Sequence, residues 1–128
     1  MSIQLPVITN IQDRNAFLEL LKSNPGLFII KLGAEWCGPC KMIENDVNTF
    51  IAHMPSNVQC AVIDIDKCSD VYAFLKAKRV VVGVPAILVY KKGNVTHIPD
   101  DFMIGASKEK LSDLYDRCIQ NAITIAKE

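Results

Sequence analysis

The sequence predicts an α/β fold, a central mixed β-sheet flanked by helices on both faces. Two nearly continuous apolar runs, LFIIKL at 27–32 and VQCAVIDI at 58–65, have the length and composition of strands covered on both sides. Segments with apolar residues at helical spacing alternate with them. No repeat, low-complexity stretch or internal linker interrupts the chain, so residues 1–128 should fold as a single domain.

Taken in order, residues 5–9 suit a short edge strand. A helix is expected near 13–23, where Phe17, Leu20 and Leu21 share a face, and Pro25-Gly26 ends it. After the strand at 27–32, a helix should run from about Gly38 to His53, with Ile43, Val47, Phe50 and Ile51 on one side. The strand at 58–65 leads to a helix near 69–78 that packs through Val71, Phe74 and Leu75. Residues 86–91 and 94–98 flank Lys92-Gly93 and read as an antiparallel hairpin. A last helix over about 107–126 carries Leu111, Leu114, Tyr115, Cys118, Ile119 and Ala122 at helical spacing. The order βαβαβαββα gives the mixed sheet and its two helical layers.

Fourteen basic and fourteen acidic side chains cancel, which argues against a nucleic-acid surface or a polybasic membrane patch. No apolar run approaches the roughly 18 residues of a membrane span. The segment MSIQLPVITN has neither the cationic nor the apolar region of a secretory signal. Five cysteines are an odd number, and only Cys37 and Cys40 lie close together. That usage fits a reducing compartment, so a cytoplasmic location is expected.

The segment Trp36-Cys37-Gly38-Pro39-Cys40-Lys41 falls between a buried strand and a helix. A cysteine capping that helix would turn its sulfur toward unpaired backbone N–H groups, which favour thiolate, the nucleophilic form. Cys40 would lie one turn on, its Cα roughly 5–6 Å from that of Cys37, a separation that a disulfide accepts. Pro39 suits the first turn because its missing N–H is not needed there. The spacing therefore points to thiol–disulfide exchange: Cys37 attacks a substrate disulfide and Cys40 then displaces the substrate. That chemistry calls for an exposed Cys37 and a sheltered Cys40. The competing reading is half of a zinc site. A structural zinc needs four ligands, and with no second Cys-x-x-Cys and only the isolated His53 and His97, no metal is expected.

The run AEWCGPCK at 34–41, followed by Met42, resembles the signature of the thioredoxin family. Val84-Pro85 before AILVYK, Lys92-Gly93, and Gly105 in IGASKEKL agree with further positions of that family. The resemblance implies a thioredoxin-like fold and no bound cofactor beyond a redox-active Cys37–Cys40 disulfide. It also implies disulfide-containing protein substrates, and thioredoxin reductase or another electron donor. By the same resemblance the substrate groove is lined by Trp36, Gly38, Pro39, Val84, Pro85 and Gly105, with Pro85 as a cis-proline. Read alone, Pro85 could be an edge proline, Gly105 could merely precede the last helix, and Trp36 could belong to the core.

Two departures stand out. The family's buried aspartate before the dithiol is replaced by Lys31, and its common lysine partner by Val62. Asp64 interrupts the neighbouring apolar strand. Lys31 either points towards Asp64 or Asp66 in an inverted arrangement that tunes the dithiol, or snorkels to the sheet's rim and touches nothing catalytic. A cation there would stabilise thiolate and make the dithiol more oxidising. The second departure is a longer segment around Ala77–Gly83, bordering the groove. Cys60 and Cys118 read as core residues; Cys68 reads as packing rather than as an oxidation-sensitive thiol. The leading function is protein disulfide reduction. The alternatives are an oxidase- or isomerase-like variant with a less reducing dithiol, and a non-catalytic interaction module of the same fold.

Overall fold

A computed structural model describes residues 4–128; Met1, Ser2 and Ile3, the start of the expected domain, lie outside it. The elements are α1 (Arg14–Lys22), β1 (Leu27–Gly33), α2 (Gly38–Met42), α3 (Glu44–Ala52), β2 (Val58–Asp64), α4 (Ser69–Ala77), β3 (Ala86–Lys91), β4 (Asp101–Ile104) and α5 (Lys108–Ala126). The sheet order is β2-β1-β3-β4; β1 and β2 are parallel, and β3 is antiparallel to both β1 and β4.

Side chains alternate across a strand, and β1 divides its residues accordingly. Phe28, Ile30 and Leu32 pack with Phe17 and Leu21 of α1 and Val71 and Leu75 of α4. Leu27 and Ile29 face the other way, onto Val47 and Phe50 of α3 and Leu114 and Cys118 of α5. Each face thus has its own core, as the apolar runs predict. By the same alternation Lys31 lies on the α3/α5 face, at its open end. Asp13 caps α1 by accepting the N–H of Ala16 at 2.9 Å, and Ser107 caps α5 by accepting that of Lys110 at 3.2 Å.

Three elements differ from expectation. Residues 5–9 contribute only an isolated parallel bridge between Ile8 and Ala61; Pro6 has no N–H with which to extend the ladder. The helix expected over 38–53 divides at Ile43, whose backbone (φ −109°, ψ 4°) leaves the helical path while its side chain is fully buried. The strand expected at 94–98 is a loop, and β3 pairs instead with Asp101–Ile104. Polar side chains capture the backbone there. Asn94 Oδ1 accepts the N–H of Thr96 at 2.9 Å, and Asp100 Oδ2 accepts that of Lys91 at 2.7 Å.

The segment after α4 closes in a Schellman turn, with the N–H of Val80 on the Leu75 carbonyl (2.9 Å) and that of Arg79 on Lys76 (3.0 Å). Arg79 takes the left-handed position at φ 60°. Val81 then enters the core and Val82 stands 80% exposed.

Candidate active site

Strand β1 ends at Gly33, and the chain turns through Ala34-Glu35-Trp36 into α2. The N–H of Cys37 donates to the Ala34 carbonyl at 3.2 Å, which closes that turn. Cys37 is the N-cap of α2, and its Sγ accepts the N–H of Cys40 at 3.2 Å. Pro39 lies in the first turn, where no donor is missed. Cys37 and Cys40 form a disulfide with a Cα–Cα separation of 5.3 Å.

Both cysteines are 4% exposed, so the expected contrast between an open Cys37 and a sheltered Cys40 is absent from the disulfide form. The two differ in surroundings instead. Cys37 Sγ lies 3.7 Å from the Val84 carbonyl oxygen, on the groove side. Cys40 lines an open cleft of about 690 Å³ behind the dithiol, with Lys31, Gly33, Glu44 and Asp64.

The groove residues converge. The Val84-Pro85 peptide is cis. The Pro85 carbonyl accepts the N–H of Gly105 at 2.9 Å, and Gly105 has φ 98°, a backbone position that favours glycine. A methyl group at Gly105 or Gly38 would meet only open space, so the backbone is bare at both points. Trp36 is 68% exposed and not part of the core. Its indole N–H donates to Asp66 Oδ2 at 2.8 Å, which orients the ring.

That bond corrects the expected role of Asp66, which anchors Trp36 rather than pairing with Lys31. Asp64 is also occupied, its Oδ1 accepting the N–H of Asp66 at 2.9 Å. Lys31 is in register with Val62, which puts it diagonally across from Asp64 on the same face. Even so, among the described residues neither Asp64 nor Asp66 forms an ion pair with Lys31, and the expected inverted pairing is not formed. Lys31 is half-buried, and burial pulls its ammonium below the ordinary lysine range; the nearby Glu44 carboxylate opposes that shift. Lys31 and Cys40 line the same open cleft.

Sequence reasoning missed Gly33 and Glu44. A Cβ at Gly33 would stand 2.9 Å from Lys31 Nζ and 3.5 Å from Cys40 Sγ. The remaining cysteines agree with the packing reading. Cys60, Cys68 and Cys118 are free and buried, and burial pushes the thiols of Cys60 and Cys118 up to about 12. The Cys68 thiol donates to Asn10 Oδ1 at 3.5 Å.

A dithiol that bridges the first turn of a helix, beside a cis-proline and an exposed tryptophan, defines a thiol–disulfide oxidoreductase. The thioredoxin family model matches residues 7–117. Over 106 residues the chain is 36% identical to horse thioredoxin and 33% identical to human thioredoxin, spanning 82% of this chain and 92% of each relative. Its fold is similar to that of Trichomonas vaginalis thioredoxin, with a TM-score of 0.70 at 23% identity over 88% of this chain and 96% of that one. Fasciola hepatica thioredoxin gives a TM-score of 0.67 at 25% identity, covering 86% and 98%. The chain belongs to the thioredoxin family, and its function is thiol–disulfide reduction. Members need no cofactor beyond their own disulfide and work on disulfide substrates with reductase partners. Among the described residues no helix is long and apolar enough to cross a membrane.

Proposed function

We propose that the chain is a general protein-disulfide reductase of the cytoplasm, supplied with electrons by thioredoxin reductase or another donor. Cys37 is the attacking thiol and Cys40 the resolving one. The observation that carries this assignment is the N-cap position of Cys37, whose sulfur already accepts the Cys40 N–H. A donor aimed at sulfur favours the thiolate. The three buried free thiols support a protein kept in a reducing compartment.

In the forward half-reaction the Cys37 thiolate attacks one sulfur of the substrate disulfide. A Cys37–substrate bond forms, and the other substrate sulfur leaves with the electron pair and takes up a proton. Cys40 then loses its proton and attacks Cys37 Sγ; the intramolecular disulfide forms and the second substrate sulfur leaves as thiolate and is protonated. The substrate gains two electrons and two protons, and the donor restores the dithiol. Trp36, Val84, Pro85 and Gly105, with Gly38 and Pro39, form the surface on which a substrate strand rests, and the bare backbone at Gly38 and Gly105 supports this.

Insulin reduction driven by dithiothreitol tests the assignment. The wild-type chain should accelerate precipitation of the insulin B chain, and Cys37→Ser should remove the acceleration. Equal turnover in both would overturn it and favour an interaction module. An equilibrium with glutathione poised toward the reduced dithiol would instead favour an oxidase or isomerase.

A further inference from the structure

The reaction accounts for Cys37 and its groove, but leaves unexplained an ammonium group on the opposite side of the dithiol. Lys31 Nζ and Cys40 Sγ both border the bare Cα of Gly33, where an added methyl carbon would be 2.9 Å from one and 3.5 Å from the other. Both line the cleft behind the disulfide. The remaining charges around that cleft are known. Glu44 reaches it from α3 and Asp64 from β2, with Asp64 turned to the Asp66 N–H. Lys67 follows β2, and Glu35 and Lys41 flank the dithiol in sequence. Of these, Glu44 is the carboxylate whose field reaches Lys31.

We propose that Lys31 is a positioning residue for charge on Cys40: its ammonium stabilises the Cys40 thiolate during resolution, and Glu44 moderates it. The proposal rests on the assignment of Cys40 as resolving thiol. In the mixed disulfide, Cys40 gives its proton to solvent in the cleft, and the sulfur anion forms in the field of Lys31, which keeps its own proton. The anion attacks Cys37 Sγ, the Cys37–substrate bond breaks, and the substrate sulfur leaves with the pair. Half-burial makes the interaction stronger than between exposed charges, since less solvent screens it. The same field favours the reduced dithiol over the disulfide, so Lys31 also makes the protein less reducing.

The test is the titration of Cys40, followed through its ¹³Cβ shift in Cys37→Ser protein labelled at cysteine. Lys31→Met should raise the Cys40 midpoint by about one pH unit. Lys31→Arg should keep it low. Glu44→Gln should move it the other way, because the ammonium is then less neutralised. The two opposed shifts separate a charge effect from loss of packing, and Glu44, exposed on α3, carries the test alone if Lys31→Met does not fold. With Cys37 intact, Lys31→Met should become more reducing against glutathione, by about threefold in the equilibrium constant. A Cys40 midpoint unmoved by both Lys31→Met and Glu44→Gln would overturn the proposal. Loss of insulin turnover in wild type would instead overturn the reductase assignment.

Discussion

Gly33 shows how a single missing side chain shapes the site. It closes β1 beside Lys31 and Cys40, and its own Cβ would crowd the Lys31 ammonium at 2.9 Å while meeting Cys40 Sγ at an ordinary contact distance of 3.5 Å. The nearer obstacle is the tip of a flexible lysine, which can swing away, so Gly33→Ala should fold with a loss below about 1.5 kcal/mol. The displaced ammonium should then leave Cys40 with a raised midpoint, in the same direction as Lys31→Met. An unchanged midpoint, with Lys31 resonances unmoved, would show that the cleft has room for both. The two cysteines were legible because their spacing is itself chemistry: three residues apart at a helix start, they can bond. Gly33 and Glu44 were not, because what they do depends on which strand face and which helix turn meet behind the sulfur. Asp66 was singled out as a charge, but the hydrogen bond from Trp36 that occupies it crosses from one loop to another. No local pattern encodes such a contact.

Among the elements, α4 ends in the least expected way. Its Schellman turn needs a left-handed residue, and Arg79 fills that place at φ 60° where glycine is usual. An L-residue there is disfavoured by about 1–2 kcal/mol, part of which glycine returns through the entropy of the unfolded chain. Arg79→Gly should therefore raise the stability by about 0.5–1 kcal/mol, read as a higher urea midpoint with an unchanged slope. A lower midpoint would mean that the arginine side chain contributes more than its backbone takes away. Buried strands and long amphipathic helices were readable, since β1, β2, α4 and α5 each announce a period or an apolar run. The break at Ile43 was not, for no glycine or proline marks it and the core alone draws that side chain inward. The hairpin partner was misplaced for a related reason. Val95 and Ile98 suggest a strand, but Asn94, Thr96 and Asp100 bind the backbone into a loop and leave both apolar side chains exposed.

At the scale of the whole molecule, the two cores hold acids that give up their protons more readily once the protein opens. Cys60 and Cys118 sit in the core under α3 and α5, and burial pushes both thiols up to about 12 from an ordinary 9.0. Tyr90, in the opposite core with its hydroxyl donating to the His97 carbonyl at 2.8 Å, is also pushed up from 10.0. For such acids the unfolded chain releases its protons first. Stability from these groups is therefore whole below pH 9 and declines as the pH rises from there toward the folded values. Lys31 works in the opposite sense. Its folded value lies below the ordinary 10.5, so its penalty is relieved as the pH climbs between the two. Three deeply buried acids outweigh one half-exposed base, and the alkaline limb should fall. The loss should reach on the order of 2 kcal/mol per thiol by pH 10.5. Urea denaturation at pH 7, 9 and 10.5 reads it directly, in a Cys37→Ser/Cys40→Ser background that removes disulfide exchange. Adding Cys60→Ala and Cys118→Ala should lower the midpoint at pH 7, because two packed side chains shrink, yet flatten the decline above pH 9. Parallel declines with and without the two thiols would mean that their ionisation does not limit the fold, and that Tyr90 or the charge balance of the surface sets the alkaline limit instead.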